Sequence, residues 1–162
     1  MPRLGSSTEQ TASVVFDFDR NGVNDFAIAA RSRGPSIVGY RRSATGWDAY
    51  AIEPETLAIE AGGVDYDIDG DGDRDLDVVV GEHQLEHPET AKVYWFENRD
   101  GVGLQWKSHL VAVGDEHHDG TQAIDLDRDG DLDLISIGWG HDRVLIYENI
   151  RVSGDLHASP EP

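Results

Sequence analysis

Thirteen aspartates fall within three nine-residue stretches of a single pattern, and loops this rich in oxygen do metal chemistry. The stretches run from Asp17 to Asp25, from Asp67 to Asp75 and from Asp125 to Asp133. Each carries oxygen-bearing side chains at positions 1, 3, 5 and 9, and glycine at position 6, where the backbone must turn sharply. Ca²⁺ is a hard cation that takes six to eight oxygens at about 2.3–2.6 Å. A tight loop of alternating carboxylates can wrap it, with position 7 adding its backbone carbonyl. Mg²⁺ needs a smaller octahedron and holds its waters, so it suits the pattern less well. An EF-hand opens in the same way but needs a bidentate carboxylate at position 12 and flanking helices. Position 12 is Ile28, Val78 and Ser136, and the flanking segments read as strands, so the EF-hand is excluded.

The segments that must hold these loops repeat with them. Loop starts lie 50 and 58 residues apart, at 17, 67 and 125. Before each loop comes a short segment, A (Ser13 to Phe16, Gly63 to Tyr66, Thr121 to Ile124). An apolar one, B, follows it (Phe26 to Ala30, Leu76 to Val80, Leu132 to Ile137). Segment C comes next (Ile37 to Arg42, Val93 to Asn98, Val144 to Asn149), with Tyr40, Phe96 and Tyr147 equivalent and Glu-Asn closing the last two copies. A fourth, D, begins at Trp47 and Trp106. Short β-branched and aromatic runs separated by Gly, Asp, Asn and Pro read as antiparallel strands, and helix is nearly absent apart from a turn around Pro54 to Ile59. Four strands per unit at a period of some 50 residues predict β-propeller blades.

The expected fold is all-β, a partial β-propeller of about three four-stranded antiparallel blades. Blade 1 is expected over residues 12–53, blade 2 over 54–113 and an incomplete blade 3 over 114–150. Residues 1–11 form a flexible N-terminal tail, and 151–162 a C-terminal tail or an added strand. Propellers usually close with about four to eight blades, so fewer than three leave sheet edges uncovered. Further blades from a longer chain, or self-association, are the expected remedy.

The loops in this strand context resemble the FG-GAP or VCBS-type repeat, the calcium-loop propeller blade also found in integrin α-subunits. The resemblance covers roughly Ser13 to Asn149. It implies bound calcium, with ligands at Asp17, Asp19, Asn21 and Asp25, at Asp67, Asp69, Asp71 and Asp75, and at Asp125, Asp127, Asp129 and Asp133. Val23, Asp73 and Asp131 occupy position 7. With Asn21 in place of a carboxylate, loop 1 is expected to bind most weakly. Such loops mainly neutralise carboxylates and pin a hairpin, so metal here does not imply catalysis. Extracellular calcium modules bind at about 10⁻⁴–10⁻³ M, far above cytosolic calcium, which favours an extracellular, cell-surface or periplasmic location.

In blades of this topology the B–C and D–A loops share the face opposite the calcium loops. That face gathers Glu82, His83 and His87, then Glu116, His117 and His118, then His141, and so five of the seven histidines. Such a cluster suits a transition metal, a glycan or protein ligand, or acid–base groups that cleave an acidic polysaccharide; solvated loops are the plain alternative. Trp139 beside it offers a stacking face for a sugar, although packing is the commoner use of such a ring. Arg31 and Arg33 in the first B–C loop are further candidates for anion recognition. Trp47 and Trp106 are expected to pack between blades. The leading expectation is a calcium-binding scaffold for binding or adhesion; the alternative is a fragment of a polysaccharide lyase or hydrolase using the His and Glu loops.

Composition narrows the partners. With 32 Asp and Glu against 13 Lys and Arg, the 162-residue chain carries a net charge of −19, which disfavours nucleic acid and anionic membrane. No cysteine is present, so disulfides, thiolate metal sites and a Cys nucleophile are excluded. No apolar run approaches the roughly 18 residues of a membrane helix, and no signal peptide is recognisable in Met1 to Gln10.

Overall fold

The computed structural model describes residues 8–68, 75–117 and 119–150. Among these residues, eleven strands form three antiparallel sheets in which consecutive strands are neighbours. Sheet one is β1 (Thr8–Phe16), β2 (Asp25–Arg33), β3 (Ile37–Ser43) and β4 (Gly46–Glu53). Sheet two is β5 (Ile59–Tyr66), β6 (Asp77–Glu82), β7 (Lys92–Asn98) and β8 (Trp106–Val113). Sheet three holds β9 (Gly120–Ile124), β10 (Asp133–Ile137) and β11 (Val144–Tyr147). The fold is therefore all-β, with two four-stranded units and a third that has three strands among the described residues. The only helical turn among the described residues is 3₁₀, at Pro88–Thr90 rather than near Pro54. The 151–162 segment, anticipated as a tail or added strand, lies outside the described residues.

The A strands hold the units together: β5 packs against β1 on one side and β9 on the other. Matching registers make the units equivalent. Phe16 pairs with Asp25, Tyr66 with Asp77 and Ile124 with Asp133, each pair closing the A–B corner. Phe26 pairs with Tyr40, Val78 with Phe96 and Leu134 with Tyr147, so the aromatic of strand C always faces the first apolar residue of strand B.

Sheets one and two bury Phe16, Phe18, Ile37, Ile52, Ile59, Val78, Val80 and Phe96 between them. Sheets two and three share a smaller core of Ile68, Val79, Val93, Ala123 and Leu134. β6, a central strand covered on both faces, is buried along its whole length. In contrast, β8, the edge strand of sheet two, exposes Leu110 (54%) and Val113 (57%).

The two repeated tryptophans differ in use. Trp106 packs edge-on against Phe18 of the preceding blade, centroids 5.9 Å apart, as expected of an inter-blade residue. Trp47 instead packs on Phe26 of its own sheet, with the Arg42 guanidinium 4.9 Å above its ring.

Candidate functional site

The A–B corners are built around one carboxylate per blade. Asp25 accepts the N–H of Phe18 at 3.1 Å and of Arg42 at 2.7 Å. Asp77 accepts from Ile68 at 3.1 Å and Asn98 at 2.9 Å, and Asp133 from Leu126 and Asn149, both at 3.0 Å. Each thus ties position 2 of its loop to the end of strand C, and all three are buried. Burial pushes the Asp25 carboxyl up; the two backbone N–H groups oppose this, while Asp19 and Asp17 add to it. Negative charge concentrated at a desolvated corner is what a cation would relieve.

Asp77, not Asp75, stands where Asp25 and Asp133 stand, because the second loop runs two residues longer before its B strand begins. Sequence reasoning missed Asp77, having counted forward from Asp67. Counting back from strand B would have found it: Asp25-Phe26, Asp77-Val78 and Asp133-Leu134 are the same step. Asp75 is buried nearby.

In loop 1, oxygens of Asp17, Asp19 and Asp25 lie within 4.8 Å of one another, and in loop 3 those of Asp125, Asp127 and Asp129 do the same. Ligands on opposite sides of a Ca²⁺ ion are about 4.6–5.2 Å apart, so both clusters have the span of one coordination sphere. The two loops share a backbone. Arg20 and Arg128 at position 4 adopt φ of +55° and +69°, and Gly22 and Gly130 at position 6 adopt +86° and +100°. Loop N–H groups bond to the carboxylates, as Gly22 does to Asp17 at 2.7 Å and Arg128 to Asp125 at 2.6 Å. Asn21 turns its Oδ1 to the Val23 N–H at 2.8 Å. Asp69, Asp71 and Asp73 lie outside the described residues; Asp67 Oδ1 is buried with no hydrogen-bond donor among the described residues. The all-oxygen donor sets of loops 1 and 3 have a span that fits calcium, and in loop 2 the buried Asp67 Oδ1 is a further oxygen that a cation could engage.

Strand C supplies a second tie that the sequence did not reveal. Asn98 Nδ2 donates to the Phe18 carbonyl at 3.4 Å, and Asn149 Nδ2 to the Ile68 carbonyl at 3.4 Å. In both cases an asparagine of one blade holds position 2 of the loop in the blade before it.

On the opposite face Glu116, fully buried, is the hub. Its Oε1 lies 3.1 Å from His83 Nδ1, its Oε2 accepts the Trp139 N–H at 2.8 Å, and its backbone carbonyl meets His141 Nε2 at 2.9 Å. His117 is also fully buried, with Nδ1 2.8 Å from Ser136 Oγ. Desolvation holds its imidazole below the usual histidine range, against the pull of the Gly114 backbone, Asp115 and Glu116. The face therefore brings together His83, Glu116, His117 and His141. It leaves out Glu82, whose Oε1 is turned to the Ala58 N–H at 3.2 Å, and His87, an exposed residue paired with Glu89. His118 lies outside the described residues. No three metal-ligating atoms converge here among the described residues. Arg31 is occupied by Glu9 and Glu60.

A cavity of about 360 Å³ opens beside this network, walled by Leu85, Pro88, Glu89, Glu116, His141 and the ion pair of Arg143 with Asp115. Glu89 and Arg143 were not singled out from the sequence, since neither carries a motif. Trp139 stands 71% exposed.

Four-stranded antiparallel units with neighbouring A strands and an acidic loop at each A–B corner define a β-propeller-type repeat module. The FG-GAP-like repeat family model matches residues 67–136, from the second acidic loop into β10, so that this span is similar to an FG-GAP-like repeat. No curated protein matches the chain.

Proposed function

We propose that this repeat module binds calcium through its A–B loops and serves outside the cell as a binding or adhesion scaffold. The observation that carries the reading is the convergence of three carboxylates within 4.8 Å at the same strand corner in loops 1 and 3. Asp17, Asp19, Asn21 and Asp25 would hold one ion, and Asp125, Asp127, Asp129 and Asp133 another. Asp67, with Asp69, Asp71 and Asp75 or Asp77, would hold a third. Bound calcium supplies charge neutralisation and fixes the hairpin.

The opposite face is the proposed ligand surface. An open cavity with an apolar wall, an ion pair and an exposed indole beside it suits a glycan or peptide. Its carboxylates, on a chain of net charge −19, favour neutral or cationic ligands over acidic polysaccharide. The scaffold reading is preferred to a lyase or hydrolase because Glu116 is engaged through both side-chain oxygens and His117 is enclosed.

Calcium at a hundredfold excess over Kd adds about 2.7 kcal/mol to a native state that alone binds it, a rise of roughly 5–10 °C in a chain of this size. Calorimetry with calcium and then chelator checks this. An unchanged midpoint would rule out the metal reading, and loop 1, with Asn21, should release first.

A further inference from the structure

In the row of three sheets, sheets one and three each turn one face away from sheet two. The repeats tell what each of these faces is shaped to meet. Blade 1 offers a forward face to blade 2 through Phe16, Phe18, Ala29 and Ile37, all buried. Strand register places the counterparts of these four on blade 3. Ile124 matches Phe16, since each pairs with the aspartate that bridges its corner, Asp133 or Asp25. Leu126 matches Phe18, because each gives its N–H to that aspartate. The cross-strand pair of Ile137 with Val144 matches that of Ala29 with Ile37. All four blade 3 residues are exposed, and so is Ile146, which stands where blade 1 has the buried Gly39. Blade 3 thus presents the apolar face with which a blade docks on its successor.

The receiving half of the interface is also present a second time. Blade 2 receives blade 1 with Val78 and Phe96 in the shared core, Asn98 on the Phe18 carbonyl and Trp106 against the Phe18 ring. On the rear face of blade 1 the same register positions hold Phe26, Tyr40, Arg42 and Trp47. Phe26 stacks on Tyr40 at 4.7 Å and meets Trp47 edge-on at 4.8 Å, a half-buried aromatic surface with the exposed Val15 beside it. Arg42 stands where Asn98 stands, each giving its backbone N–H to the bridging aspartate of its own blade. A guanidinium offers N–H donors as the asparagine amide does. Charge favours joining these unlike faces. Residues 12–53 carry five Arg against five Asp and Glu, whereas residues 114–150 carry two Arg against ten Asp and Glu. Two blade 3 faces would repel each other, while blade 3 against blade 1 sets an acidic loop beside Arg42.

We propose that the forward face of blade 3 is the docking site for the rear face of blade 1 of a second copy of this chain. Leu126 of one copy is then seated against Trp47 of the other, with its carbonyl held by Arg42. Because the two faces differ, the contact runs head to tail. Two copies bring six blades, within the range of about four to eight at which propellers close, so the pair forms a ring with both interfaces filled.

The test uses the whole chain with calcium at physiological ionic strength, where exposed charges are screened beyond about 8 Å. Light scattering across a concentration series should give twice the mass of one chain. V144E on the forward face and V15E on the rear face change exposed side chains and should each halve that mass; I146E is a second forward-face variant, and circular dichroism checks that each is folded. L104E places the same charge on an equally exposed residue between β7 and β8 and should leave the pair intact. An equimolar mixture of V144E and V15E should recover pairing, more weakly than the parent, through the one interface whose two faces are intact. The proposal is overturned by a parent chain that is monomeric at every concentration, which would assign both faces to further blades of a longer chain. It is equally overturned by a mass that climbs without limit, by a dimer that survives either face variant, by dissociation in L104E, or by a mixture that stays monomeric.

Discussion

Replacing Asp77 by alanine removes the acceptor for two buried N–H groups at once, those of Ile68 and Asn98 at 3.1 and 2.9 Å. A buried donor left unsatisfied costs about 1–3 kcal/mol, so the gross loss is about 2–6 kcal/mol. Relief from burying a carboxylate offsets part of it, leaving a net loss of about 3 kcal/mol, or roughly 6–12 °C. That is a large share of the 5–15 kcal/mol typical of a domain. D25A and D133A remove equivalent bridges and should cost similar amounts. Urea unfolding in chelator separates this architectural loss from any loss of metal, and equal m-values validate the comparison. A D77A loss far below those of D25A and D133A would refute the placement of Asp77 at the bridging position.

Two other outcomes follow from the same geometry. N98A should destabilise the fold by about 1–3 kcal/mol, and a calcium titration by calorimetry should show weaker binding at loop 1, because Phe18 loses its tie to blade 2. His117 has a folded-state pKa below its unfolded value, so at acid pH the unfolded chain binds the extra proton. Its contribution is thus full above about pH 6.5 and is lost as pH falls through the depressed value; denaturation between pH 7 and 5 should show this slope, and H117Q should flatten it.

Much of the scaffold is legible in the residues. Strands A to C can be read from β-branched runs bounded by Asp, Gly and Asn, and their equivalence from Tyr40, Phe96 and Tyr147. The bridging aspartate of blade 2 is not legible from the loop alone, because Asp73, Asp75 and Asp77 alternate identically and only the pairing of Tyr66 with Asp77 selects one. Repetition exposes Glu97-Asn98 and Glu148-Asn149, yet the asparagines act on partners about 80 residues away, which no local pattern encodes. Topology likewise places the histidines on one face without telling that His117 is sealed while His87 stands in solvent.

The asparagine ties give the array a polarity. Blades 2 and 3 each secure the metal-loop backbone of their predecessor through strand C. Phe18 and Ile68, each held this way, are 0% and 8% exposed, whereas Leu126 at the same position is 44% exposed. Order in such a row propagates backward along the chain. Docking of a successor buries the residue at position 2 of the loop before it, so ion affinity along the array would report how many successors are in place.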